Sequence, residues 1–415
     1  VVLIEVVKHQ GETMTILMIG AGQAALTTAE KYRALGGDDE VILLGDELYL
    51  PYQRPPLSKA YLAGDMALER LYLRPPEWFE KNNISIRPGC LVETIDRAGK
   101  TVGLHDGEIL GYDKLVLATG SRARPLPEKL TKSAEGIYTL RSLKDIDTMR
   151  DEFKPGRRLL VVGGGYIGLE AAAIARKLGL EATVVEAAPR ILGRVASAET
   201  ADFIRDMHLA HGAKIHEGTG LASFEISGHR VTAAILSDET RIEVDFVIAG
   251  IGILANTELA EAAGLDCDEG ILVNEQCRTN DPDIYACGDC TRFEYEGERI
   301  RLESVGNAID QGEVVAANLA GQETSYNPKP WFWSDQYDMT LQIAGLNMGY
   351  DNTIVRQGAR EGTQSVWYYK SDTLLAVDSL GDPRTYMIAK RILDAGKNVP
   401  KAIASDPEAN LKDWL

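Results

Sequence analysis

A chain of 415 residues, 45% apolar and 26% charged, is long enough for two or three domains with full hydrophobic cores and has an ordinary globular composition. A formal net charge of -18 leaves little to neutralise a phosphate backbone, which argues against nucleic-acid binding. No apolar run approaches the roughly 20 residues that span a bilayer, and five cysteines, an odd number, fit a reducing compartment, with cytoplasm expected.

Residues 1–13 read as an extension outside the fold. Their opening, Val1-Val2-Leu3-Ile4-Glu5-Val6-Val7-Lys8, lacks the basic start, longer apolar core and small-residue cleavage site of a secretory signal. Thr15-Ile16-Leu17-Met18-Ile19 then reads as a buried parallel strand, a short continuous apolar run. A helix is expected over 23–36, ended by Gly36-Gly37, and Glu40-Val41-Ile42-Leu43-Leu44 is the next strand. Tyr112 to Gly120 looks like a further strand, ending in Ala118-Thr119-Gly120. The unit recurs about 140 residues on: strand Arg158-Leu159-Leu160-Val161-Val162, helix 166–178 stopped by Gly179, strand Glu181-Ala182-Thr183-Val184-Val185. Phe246 to Gly252 is the counterpart of 112–120. The second unit is therefore read as inserted into the first, giving one nucleotide domain over 14–121 and 246–325 and another over 122–245. Beyond Gly321 the chain turns aromatic, and alternation in 364–369 and 373–378 predicts an antiparallel sheet, hence a third, α+β domain over 326–415.

Each repeat carries a phosphate-binding fingerprint between its first strand and its helix. In Gly20-Ala21-Gly22-Gln23-Ala24-Ala25, Gly20 permits the tight turn, Gly22 lets the backbone approach a pyrophosphate, and the small Ala25 lets helix and strand pack closely. The anion then sits on free N–H groups at the helix N-terminus. Asp46, 21 residues after Ala25, and Glu47 beside it are candidates for a ribose hydroxyl. The competing reading is a glycine-rich turn without a ligand. Gly163-Gly164-Gly165-Tyr166-Ile167-Gly168 is the stronger motif, since all three glycines stand in place. Glu186 closes the following strand, 18 residues after Gly168, where a carboxylate accepts both ribose hydroxyls of NAD and repels the 2′-phosphate of NADP. Two such sites in one chain suggest electron transfer between two dinucleotides.

Cys287-Gly288-Asp289-Cys290 has the spacing of a redox dithiol or half a zinc site. No second pair lies at zinc-ribbon spacing, and incidental packing is the favoured reading; no metal site is expected. His208, His211 and His216 lack the spacing of a helical metal pair and are read as surface residues.

Taken together, Tyr52-Gln53-Arg54-Pro55-Pro56-Leu57-Ser58-Lys59, Ala118-Thr119-Gly120, the second fingerprint with Leu169-Glu170, Cys287-Gly288-Asp289, Leu302-Glu303-Ser304-Val305 and Pro330-Trp331-Phe332-Trp333-Ser334-Asp335-Gln336-Tyr337 resemble the FAD-dependent ferredoxin reductases of bacterial cytochrome P450 and Rieske-type oxygenase systems. The match runs in order from about residue 14 to at least 380. It implies a glutathione-reductase-type flavoprotein with two dinucleotide-binding domains and a C-terminal α+β domain. FAD would lie on Gly20, Gly22 and Ala25, with Asp46 or Glu47 near the adenosine, Arg54 along the cofactor, and Ala118, Thr119, Gly120, Asp289 and Val305 also touching it. NADH would lie on Gly163, Gly165, Tyr166, Ile167, Gly168, Glu186, Gly250 and Glu303. Lys59 would sit at the flavin ring, Glu170 near the nicotinamide and paired with Lys59, and Trp333 over part of the flavin near a docked [2Fe-2S] ferredoxin. The dithiol that follows the first helix in glutathione-reductase-like enzymes is absent, since residues 20–89 contain no cysteine. Gly306 stands where many members carry Pro. Arg299 and Arg301 are candidates for a basic docking patch. Other readings are an NADH oxidase, a rubredoxin or quinone reductase, or an NADH-responsive flavoprotein resembling apoptosis-inducing factor.

Overall fold

The computed structural model describes residues 14–415; the segment 1–13, read above as an extension, lies outside the described residues. The chain forms two compact units. Of the described residues, the first comprises 14–52, Tyr72–Ser121 and Ala255–Pro328; the second comprises Gln53–Leu71, Arg122–Leu254 and Lys329–Leu415.

In the first unit, five parallel strands stand in the order Ile284–Ala286, Lys114–Leu117, Thr15–Ile19, Glu40–Gly45, Ile84–Pro88. Thr15–Ile19 is central, which is why it reads as a continuous apolar run: Ile16, Leu17 and Met18 are inaccessible on both faces. The helix Gln23–Ala34 packs against the helix Val305–Leu319. Gly312 allows that approach, because a Cβ there would lie 2.8 Å from the Ala24 carbonyl oxygen.

The second unit repeats the sheet: Lys214–Glu217, Glu181–Glu186, Arg158–Val162, Phe246–Ala249, Ile137–Thr139, all parallel. Phe246–Ala249 flanks Arg158–Val162 as Lys114–Leu117 flanks Thr15–Ile19, the correspondence the sequence suggested. The expected return to the first domain at 246 is corrected by this pairing. The strand belongs to the second sheet, and the second unit keeps the chain through Leu254. A four-residue apolar run fits either sheet, and only the partner strand decides. Segment 53–71 also departs from the expected 14–121 domain: it belongs to the second unit. There Tyr61 donates to Asp147 at 3.1 Å and Arg150 stacks over the Tyr61 ring.

The same unit contains a five-stranded antiparallel sheet, in the order Trp331–Gln336, Met339–Gly345, Thr373–Leu380, Gln364–Lys370, Asn352–Gln357. The helix Pro383–Asp394 covers it, capped by Asp382 and packed on Trp367 and Val377. The C-terminal region is therefore α+β. Arg356 is buried and donates to the backbone carbonyls of Ile403, Pro407 and Ala409, which holds the last segment through backbone acceptors.

One of the three histidines expected at the surface is not there. His208 has 0% exposure: it lies on the inner face of the helix Ala198–Ala210, its Nε2 2.7 Å from Gln336 Oε1 and its Nδ1 3.1 Å from the Tyr337 hydroxyl. His211 is exposed, as expected. Burial lowers the His208 imidazole to about 4 from an ordinary 6.5. A folded-state value below the unfolded one means that protonation favours the unfolded chain, so this stability is complete above pH 6.5 and is lost as pH falls toward 4. In urea unfolding between pH 7 and 4, His208→Gln should show a shallower acid loss than the parent, the two curves converging by about 3 kcal/mol. Parallel curves would contradict a neutral, buried His208.

Candidate functional site

The glycines of each fingerprint divide into those the protein needs and one it does not. Gly20 has φ +110° and a Cβ there would lie 2.1 Å from the Ala118 oxygen. Gly163 has φ +107° and would meet the Gly250 oxygen at 2.4 Å. A Cβ on Gly168 would meet the Gly163 oxygen at 2.4 Å; the fully buried Ala25 fills the equivalent place in the first motif. Gly22 and Gly165 are different: a Cβ on either would have no atom of the described residues within 4 Å. Both take extended backbone that any residue adopts, and both cap their helices without a side-chain hydrogen bond. Each helix also lacks an acidic residue in its first turn. What their missing side chains clear is room outside the protein, over free N–H groups, and that room fits a pyrophosphate. Gly120, at φ +64°, likewise has no neighbour within 4 Å.

The acids and other candidates are placed as follows. Glu186 folds back on its own loop: Oε2 accepts from Gly164 N and Oε1 from Ala188 N, both at 2.7 Å, leaving one acceptor position on each oxygen for a ribose. Asp46 is exposed after its strand, whereas Glu47 accepts from the Tyr52 hydroxyl at 2.6 Å. Thr119 and Asn256 exchange two hydrogen bonds, 2.7 and 2.8 Å, which fix the backbone beside Ala118 and Gly120. Asp289 accepts from Ser121 at 2.9 Å. Val305 opens the helix Val305–Leu319 under a Ser304 cap, with Gly306 buried as its second residue. Gln311 in the same helix is fully buried; its oxygen takes Gly288 N at 2.8 Å and the Thr291 hydroxyl at 2.9 Å, and its Nε2 has no partner among the described residues. An orphaned donor beside Gly288-Asp289, with the open glycines, fits a bound FAD. Tyr166 packs on Phe332 with ring centroids 5.0 Å apart, and Ile167 is exposed. Arg54 donates to the Arg141 carbonyl at 3.1 Å.

Lys59 and Glu170, 111 residues apart, form an ion pair of 2.7 Å in the second unit. Two prolines preset the short turn Pro55–Ser58, which delivers Ser58 and Lys59 together. Glu170 projects from the buried side of the helix Tyr166–Lys177 and is only 4% exposed. Its Oε2 accepts from Lys59 and from Ser58 at 2.5 Å, and its Oε1 accepts from Ser334 at 2.7 Å. Alternation along Trp331–Gln336 puts Phe332, Ser334 and Gln336 on the side of Tyr166, Glu170 and His208, while Trp331 and Trp333 stack on the other side. The sequence reading missed Ser58 and Ser334 as partners of Glu170, and Gln336 behind Ser334, although all lie in quoted stretches; for Ser334 and Gln336 the period-2 pattern of Trp331–Gln336 was the available signal. The basic patch proposed at Arg299 and Arg301 is not basic in its surroundings. Arg301 pairs with Glu303 at 2.9 Å, and Arg299 stands opposite Glu294 in the strand register.

Residues 14–312 match the family model Pyridine nucleotide-disulphide oxidoreductase, and 331–415 match Reductase C-terminal. The chain belongs to the pyridine nucleotide-disulphide oxidoreductase family. Putidaredoxin reductase of Pseudomonas putida is 41% identical over 96% of both chains, and rhodocoxin reductase of Rhodococcus erythropolis is 39% identical over 96% of this chain and 94% of its own. The crystal structure of the covalent putidaredoxin reductase–putidaredoxin complex superposes with a TM-score of 0.94 at 40% identity, covering 97% of this chain and 98% of the other. Within the family, the chain falls with ferredoxin reductases of the putidaredoxin reductase type. The disulphide of the family name has no counterpart here. All five cysteines are free, and burial pushes the Cys287 thiol up to about 12 and the Cys267 thiol up to about 11, away from thiolate chemistry.

The glycine geometry makes a paired prediction. Gly22→Val should leave the fold intact and weaken FAD retention by about tenfold or more, with NADH binding unchanged. Gly165→Val should keep FAD and raise the Kd for NAD by a similar factor. Flavin content and NAD titration of the two variants check this; equal losses of both ligands in either variant would contradict it.

Proposed function

We propose that this protein is an FAD-dependent NADH:ferredoxin oxidoreductase that passes electrons one at a time to a [2Fe-2S] ferredoxin, which in turn feeds a cytochrome P450 or Rieske-type oxygenase. The observation that carries the reading is the pair of fingerprints, each keeping one glycine whose missing side chain clears space only for a ligand. The similarity to putidaredoxin reductase over almost the whole chain supports it. When bound, FAD takes two electrons from NADH and releases them singly.

The protein's own residues hold, orient and tune. Gly20, Gly22 and Ala25 seat the FAD pyrophosphate, with Asp46 or Glu47 at the adenosine; Ala118, Thr119, Gly120, Asp289, Val305 and Arg54 line the remainder. Gly163, Gly165, Tyr166, Ile167, Gly168 and Gly250 seat NADH, Glu186 takes its ribose, and Glu303 borders the site. Lys59 lies at the flavin ring, where a cation favours the electron-rich reduced form, and Glu170 moderates that charge. Trp333 covers part of the flavin on the ferredoxin side. The working compartment is the cytoplasm; among the described residues no helix is long and apolar enough to cross a membrane.

Mixed with NADH without oxygen, the flavoprotein should bleach rapidly. A [2Fe-2S] ferredoxin from the cognate oxygenase system should then restore its colour and support cytochrome c reduction. Bleaching followed by ferredoxin-independent reoxidation by oxygen or a quinone would instead establish an oxidase or quinone reductase.

A further inference from the structure

A single file of hydrogen bonds runs outward from Glu170 through the second unit. The Ser334 hydroxyl donates to Glu170 Oε1 at 2.7 Å. Its proton being committed there, Ser334 Oγ accepts from Gln336 Nε2 at 3.1 Å. The Gln336 amide is thereby oriented, and its Oε1 faces His208 Nε2 at 2.7 Å, so that nitrogen carries the ring proton. His208 Nδ1 is then a bare acceptor and receives the Tyr337 hydroxyl at 3.1 Å. Every donor points toward Glu170. Ser334, Gln336 and His208 are each at most 1% exposed.

The outer end is held at a cost. Tyr337 lies in the two-residue turn between Trp331–Gln336 and Met339–Gly345 and takes φ +57°, a conformation a bulky side chain rarely adopts. Its ring stacks on His211 with centroids 3.8 Å apart, and its hydroxyl meets His208. Those contacts offset the strain. The middle of the file contains a carboxamide, which carries protons across only through its unstable imidic-acid form. The file is thus a fixed row of dipoles rather than a path for protons.

We propose that His208 is a positioning residue for the Lys59–Glu170 pair, acting through Gln336 and Ser334 to keep the Glu170 carboxylate aimed at Lys59. This rests on the reading above that places Lys59 at the flavin. Aligned donors reinforce one another and place positive dipole ends on Glu170 Oε1. Without them the Glu170 carboxylate is no longer held against Lys59, the Lys59 cation is less compensated, and the reduced flavin is favoured.

The test measures the two-electron flavin potential of holoprotein variants without oxygen, with flavin content and circular dichroism to confirm folding. His208→Phe keeps an aromatic ring and removes both nitrogens; Ser334→Ala cuts the file at its inner end. Each should move the flavin reduction equilibrium toward the reduced form by about three- to tenfold, about 15–30 mV, in the same direction as Glu170→Gln. His208→Gln, which supplies a donor to Gln336 and an acceptor to Tyr337, should return the potential to the parent value. A parent-like potential in folded His208→Phe and Ser334→Ala, beside a shifted Glu170→Gln, would overturn the role of the file. An unshifted Glu170→Gln would overturn the placement of Lys59 at the flavin and the proposal with it.

Discussion

The Glu170 carboxylate is the charge on which the second unit's arrangement turns. Removing a carboxylate from water costs several kcal/mol, and that cost is met only where the geometry supplies enough donors. Glu170 collects them from two separate stretches of chain: Ser58 and Lys59 from the proline turn, and Ser334 from the C-terminal sheet. The segment 53–71 and the edge strand Trp331–Gln336 are therefore tied to the helix Tyr166–Lys177 by one acceptor. Losing either partner would leave a buried charge short of compensation, so the three stretches are fixed together.

The same economy of local reasons governs the fingerprints. Gly20, Gly163 and Gly168 are explained by backbone oxygens a little over 2 Å from where a Cβ would stand, so they would be glycine even in a protein that bound nothing. Gly22 and Gly165 have no such reason. That contrast separates a binding motif from a glycine-rich turn, which the spacing of the glycines alone does not. The two fingerprints also lie on equivalent elements of two equivalent sheets, the arrangement expected of a protein that moves electrons between two nucleotides.

Much of this was legible in the sequence because the signals are local. Apolar runs marked the central strands Thr15–Ile19 and Arg158–Val162, and Gly36 and Gly179 marked helix ends close to the observed Ala34 and Lys177. The Lys59–Glu170 pairing came from the family resemblance, since no local pattern connects residues so far apart. What was misread depends on tertiary partners. Phe246–Ala249 has the same pattern in either sheet. His208 was read with His211 and His216 as one surface cluster, yet its helix turns it onto Gln336. Arg301 has Glu303 two residues on in the sequence, but only the fold shows that the two side chains pair.

The most direct measurement is a crystal structure of the FAD-loaded protein soaked with NAD. The account requires two dinucleotides, one pyrophosphate over Gly22 and the other over Gly165, and Lys59 Nζ at the edge of the flavin ring while still paired with Glu170. A single bound dinucleotide, or a flavin ring remote from the Lys59–Glu170 pair, would contradict it.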